Sequence, residues 1–182
     1  MRQETILGID PGTNVMGYSV IEICDKQTTV LDMGVLNLTK LDNQAVKLAK
    51  IFELTTTLIE TYKASVLAIE EPFFGKNPQS MLKLGRAQGV VIGACLHKNL
   101  EVFEYTPRKI KQAITGKGAA SKEQVAAMLK YLVTFKYEEK YLDATDALAV
   151  AMCHVLQNNS LAAAGKYNSW ESFLSQNKHR IR

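Results

Sequence analysis

Residues 5–10 form a short apolar run that ends in Asp-Pro-Gly-Thr, and two further β-rich stretches follow at 15–24 and 28–38. Three consecutive strands with turns between them predict an antiparallel meander. The period then changes. Between residues 44 and 62, positions of the core-facing stripe recur at Leu48, Ile51, Phe52, Thr55, Leu58, Ile59 and Tyr62, the spacing of an amphipathic helix that covers one sheet face. Residues 66–69 are a continuous apolar strand that delivers Glu70 at its C-terminal end; 78–98 read as a second helix and 100–105 as a fifth strand.

Thr106-Pro107 has the form of an N-cap followed by proline in the first helical position, opening a helix through Ile114 that Gly116 and Gly118 break. Ser121 and Gln124 have capping-box spacing and start a helix through Val133. The segment 142–157 is apolar enough to require burial, whereas the chain from Asn158 turns polar, carries Lys178, Arg180 and Arg182, and is expected to fray. The order predicts an α/β fold: a five-stranded mixed sheet with helices on both faces, one domain over 1–157, and a basic C-terminal tail over 158–182. In such sheets ligands gather at the carboxyl ends of strands, where Asp10 and Glu70 both fall.

Composition changes this picture little. A chain of 182 residues, 47% hydrophobic and 22% charged, suits one soluble core. The N-terminus lacks the apolar core of a secretory leader and no run has membrane-spanning length, so a cytoplasmic protein without membrane contact is expected. Cys24, Cys95 and Cys153 are odd in number and widely separated in apolar segments, which reads as small buried side chains rather than a disulfide framework or zinc site. The net charge of +4 permits a polyanionic partner. More telling is the crowding of Arg108, Lys109, Lys111, Lys117 and Lys122 in one glycine-containing stretch, which suits phosphate contact.

The candidate chemistry lies in four acids: Asp10, Glu70, Asp143 and Asp146. Each has a plainer reading alone. Asp before Pro-Gly starts turns, a strand-end Glu can face water, and Asp-x-x-Asp in a first helical turn favours the helix dipole. Together they differ, because two strand-end acids beside an apolar helix bearing two more, about 5–6 Å apart at Cβ, would repel one another unless a cation neutralised them. Hard divalent cations take such oxygen ligands and share their remaining positions with phosphate. Gly12 and Thr13 add a turn in which backbone and hydroxyl can approach a phosphate, a motif that sugar-kinase-like and actin-like ATPases also carry.

The motifs GIDPGT, AIEEPFFGKN, MLKLGRAQG, FEYTPRKIKQAITGKGAASKEQV and DATDALAVA, in that order, resemble the RuvC family of Holliday-junction resolvases in the ribonuclease H-like superfamily. The resemblance runs from about Ile6 to His154. It implies a homodimeric endonuclease that uses Mg²⁺, two ions per site with Mn²⁺ able to substitute, and that cuts opposed strands of a four-way DNA junction to leave ligatable nicks. It also implies functional partners in the branch-migration proteins RuvA and RuvB. Asp10, Glu70, Asp143 and Asp146 match the family's metal-binding acids, Phe73 its base-stacking aromatic, and Lys111 and Lys122 its DNA-contacting bases. Phe74, Lys76, Arg108, Lys117 and Thr13 complete the expected DNA-binding set. Glu71 and Pro72 depart from the family's usual residues beside Phe73 and bear on the geometry of that loop.

The expected reaction is in-line water attack assisted by two ions roughly 4 Å apart, yielding a 5′-phosphate and a 3′-hydroxyl with no covalent intermediate. Asp10 is expected to bridge the ions and Asp146 to serve as a further ligand or to orient water. Two alternatives remain open at this point: a non-catalytic junction-binding protein, and a sugar-kinase-like or actin-like ATPase, for which a chain of this length lacks a second lobe.

Overall fold

A computed structural model describes residues 3–25, 27–72, 77–135 and 142–164, with side chains to 158. The elements run β1 (Gln3–Asp10), β2 (Val15–Cys24), β3 (Gln27–Asn37), α1 (Gln44–Tyr62), β4 (Val66–Glu70), α2 (Pro78–His97), β5 (Glu101–Tyr105), α3 (Pro107–Thr115), α4 (Lys122–Leu132) and α5 (Leu142–Ala164). The strands form one sheet in the order β3-β2-β1-β4-β5. β1, β2 and β3 pair antiparallel, as the meander requires, while β4 and β5 join parallel to β1 after helical crossovers.

Alternation along the strands decides which helix meets which face. Leu7 and Ile9 of β1 and Leu67 and Ile69 of β4 enter the core shared with Ile51, Leu58 and Ile59 of α1 and Val91 and Cys95 of α2. Ile6 of β1, Val66 and Ala68 of β4 and Tyr105 of β5 enter the opposite core, with α3, α4 and α5. The same parity carries Asp10 and Glu70 onto the α5 side at adjacent strand ends, since Ile9 pairs with Ile69.

The caps form as their residues dictate. Asn43 and Asn77 accept from the first-turn amides of α1 and α2, Thr106 accepts from Lys109 N ahead of Pro107, and Ser121 and Gln124 make the reciprocal capping box of α4. Two expectations need correction. Cys24 is exposed, although Cys95 and Cys153 are buried and all three thiols are free. Burial declines along Glu22, Ile23 and Cys24 as β2 runs out toward the hairpin, where Asp25 turns the chain at φ 57. The last helix does not stop at Gln157 but continues to Ala164, so the expected tail begins as helix and its remainder lies outside the described residues. Among the described residues, no helix is long and apolar enough to cross a membrane.

Candidate metal and nuclease site

Helix α5 lies unusually close to the sheet. Gly17 pairs with Asp10 across β1 and β2, and a Cβ on it would stand 2.0 Å from the carbonyl oxygen of Asp143. Only glycine admits that approach. Ser19 then donates from Oγ to the Ala147 carbonyl at 3.0 Å, while Ala144, Ala147 and Ala151 keep the facing helix surface narrow and fully buried. The start of α5 is thereby pressed onto the end of β1, and carboxylate oxygens of Asp10, Asp143 and Asp146 lie within 4.8 Å of one another.

Glu70 is not part of that tight trio but lines the same open cavity, of about 210 Å³, with Asp10, Asp146, Lys111 and Lys122. Pro107, Ile110, Val125 and Ala149 form its apolar wall; no sequence motif marked these four as site residues. A second cavity beside it, of about 580 Å³, is lined by Arg108, Lys111, Lys117 and Gly118. Lys111 belongs to both. Lys109 instead lies over the Tyr105 ring, 5.0 Å from its centroid.

Electrostatics follow from crowding acids in a partly dry groove. Burial first, then the charges of Glu70, Asp146 and Asp143, raise the Asp10 carboxyl from 3.8 to about 8 against the opposing pull of Lys122. Burial and Asp146 raise Glu70 to about 7, with Lys122 and Lys111 opposing. Lys122 Nζ donates to Asp146 Oδ2. Burial works to lower the ammonium pKa, but the Asp146 bond and the charges of Asp146, Asp10 and Asp143 leave it raised. Lys122 was expected to touch DNA, and the sequence carried no sign of this partner.

The turn after Asp10 is tight: a Cβ on Gly12 would fall 1.6 Å from the Val15 carbonyl oxygen, so the glycine is required by the turn itself. Lys47 on α1 holds the turn, donating to the Thr13 carbonyl and to Asn14 Oδ1, each at 3.1 Å. Phe73, Phe74 and Lys76 lie outside the described residues.

An all-oxygen donor set with more negative than positive charge fits a hard divalent cation and disfavours the softer metals that thiolate or imidazole select. The fold and this acidic groove together define a ribonuclease H-like nuclease architecture. The family profile described as crossover junction endodeoxyribonuclease RuvC matches residues 6–154, and the chain belongs to that family. It is 52% identical over 177 residues to the crossover junction endodeoxyribonuclease RuvC of Cytophaga hutchinsonii, covering 97% of this chain and 88% of that protein. It is 47% identical over 184 residues to the Bacteroides fragilis protein of the same name, covering 100% and 98%. Among solved structures, Thermus thermophilus RuvC in complex with a Holliday junction substrate superposes with a TM-score of 0.78 at 27% identity, covering 85% of this chain and 94% of that one.

Proposed function

We propose that this chain is a metal-dependent, structure-selective endonuclease that resolves Holliday junctions in recombination and repair through paired symmetric nicks. The observation that carries the reading is the convergence of Asp10, Asp143 and Asp146 within 4.8 Å, in a chain that matches the family over residues 6–154. Such a cluster repels a DNA phosphate unless cations neutralise it.

Asp10, Glu70, Asp143 and Asp146 are the residues that would hold the metal, with Asp10 the central one because its carboxyl feels the charges of all three other acids. Two Mg²⁺ ions bound there, or Mn²⁺ in their place, supply activation of water and stabilisation of the leaving 3′ oxygen. No nucleophilic side chain is required, and the products are a 5′-phosphate and a 3′-hydroxyl. Lys122 balances Asp146 and faces the scissile phosphate; Arg108, Lys111 and Lys117 receive the flanking backbone in the second cavity. Thr13, Phe73, Phe74 and Lys76 complete the DNA contacts. Paired incisions need paired sites, which an isologous homodimer supplies. RuvA and RuvB are its functional partners, and the cytoplasm, where bacterial DNA lies, is its place of work.

The test is a labelled four-way junction and a linear duplex of matching sequence, each incubated with Mg²⁺ and with chelator. Symmetric nicks in the junction alone, lost with chelator and lost in D10N while junction binding persists, support the reading. Binding without any nick by the parent would leave a non-catalytic junction binder, and unimpaired turnover by D10N would refute the acid assignment.

A further inference from the structure

The four acids hang on three parts of the fold: Asp10 on β1, Glu70 on the β4–β5 strand pair, and Asp143 and Asp146 on α5. A buried polar contact outside the cavity joins the last two. Tyr105 is the register partner of Glu70, and its carbonyl accepts the amide of Glu71 at 2.9 Å, so the main chain at Glu70 is coupled to Tyr105. The Tyr105 hydroxyl lies 2.8 Å from Nδ1 of His154 on α5. Both side chains are almost fully buried, at 5% and 1% exposure. The His154 ring also packs tilted on Phe103, with centroids 4.5 Å apart, and its Nε2 meets the Asn158 amide nitrogen at 2.9 Å. With both ring nitrogens engaged and an aromatic neighbour against it, His154 has one orientation.

An apolar pair would fill this space without the cost of burying polar groups. What a hydrogen bond adds is a fixed separation, since it weakens steeply outside a narrow range of length and angle, whereas methyl groups slide. The pair is also uncharged at neutral pH: burial lowers His154 against the raising charges of Glu4 and Glu101, and burial, then Cys153, pushes Tyr105 up to about 12. His154 is eight residues beyond Asp146, about 12 Å along the helix, and so is no ligand.

We propose that the Tyr105–His154 hydrogen bond is a positioning device for the metal centre, setting the gap between Glu70 and the acids of α5 and through it the affinity for divalent cation. The inference rests on the metal reading of the four acids. Both residues act through Glu70, so their loss is felt only where Glu70 can ligate.

The test is Mn²⁺ binding to the full chain, titrated by calorimetry without DNA, for the parent, Y105F, E70Q and the double variant. Y105F should weaken Mn²⁺ about tenfold, the lower end of what losing a group that orients a metal ligand costs. In the E70Q background, Y105F should add less than a twofold change. H154N, whose amide can stand where Nδ1 stands, should retain parental affinity, and H154L should match Y105F. Parental affinity in Y105F, or an undiminished tenfold loss on top of E70Q, overturns the proposal. Should Y105F fail to fold, judged by its thermal transition, H154N against H154L decides, equal affinities overturning it. A parent that binds Mn²⁺ but cuts no junction removes the nuclease reading and leaves this one standing; a parent that takes up no Mn²⁺ removes the metal centre and this inference with it.

Discussion

Asp10 is the residue on which the site's charge balance turns. Its native carboxyl keeps a proton up to about pH 8, whereas an unperturbed one releases it near 3.8. Between those values the native state binds more protons than the unfolded state, so metal-free stability falls as pH rises through the window; Glu70, raised to about 7, adds in the same direction. D10N should remove most of that slope, and at pH 8 without metal its Tm should exceed the parent's by about 3 °C or more, read by differential scanning fluorimetry. Metal must displace those protons, so Mg²⁺ affinity and cleavage should both climb between pH 6 and 8. A second prediction concerns Lys122: K122A leaves Asp146 without its cation and should cut junction cleavage by about tenfold or more while weakening junction binding less. That Asp10 and Glu70 end strands and that Asp143 and Asp146 share one helix face was legible in the sequence, because strand ends and an i, i+3 helical spacing can be read locally. The Lys122–Asp146 pair was not, since it joins residues 24 apart whose meeting depends on how α4 docks against α5.

At the scale of elements, the site depends on how closely α5 lies on β1 and β2. G17A would place a methyl carbon 2.0 Å from the Asp143 carbonyl, which backbone atoms cannot absorb without moving the helix. We expect about 2 kcal/mol of destabilisation in urea unfolding, in the range for overpacking, and a loss of cleavage beyond what that destabilisation explains. S121A removes one half of the α4 capping box and should cost about 1 kcal/mol by the same assay. The elements themselves were read almost to the residue, because caps such as Thr106 and Ser121 and the switch from a period of two to 3.6 are local signals. The end of α5 differs from its expectation: the chain turns polar at Asn158, yet the strong helix formers from Leu161 to Ala164 carry the helix on. In the sequence Gly17 is one more strand residue, since the need for a close approach appears only when the helix is in place.

At the scale of the molecule, a junction presents two strands to be cut, and the described residues of one chain carry one acidic cluster. The face of α2 turned from the core bears Leu82 and Leu96 at 63% and 57% exposure, while its Val91 and Ala94 are fully buried. On the homodimer proposed above, that face suits the second copy, and L82E/L96E should shift the sedimenting species from dimer toward monomer, weakening self-association about tenfold or more and leaving nicks that no longer come in pairs. The exposed Cys24 has a practical consequence for such work. Burial pushes the thiols of Cys95 and Cys153 up to about 12 and about 11, which leaves them inert to maleimide at neutral pH. Cys24 stands at the other end of β2 from Gly17, about 23 Å along the strand. A fluorophore attached there would mark each chain once, clear of the groove, and energy transfer between two such dyes would report subunit exchange in the proposed homodimer while the enzyme works on its junction.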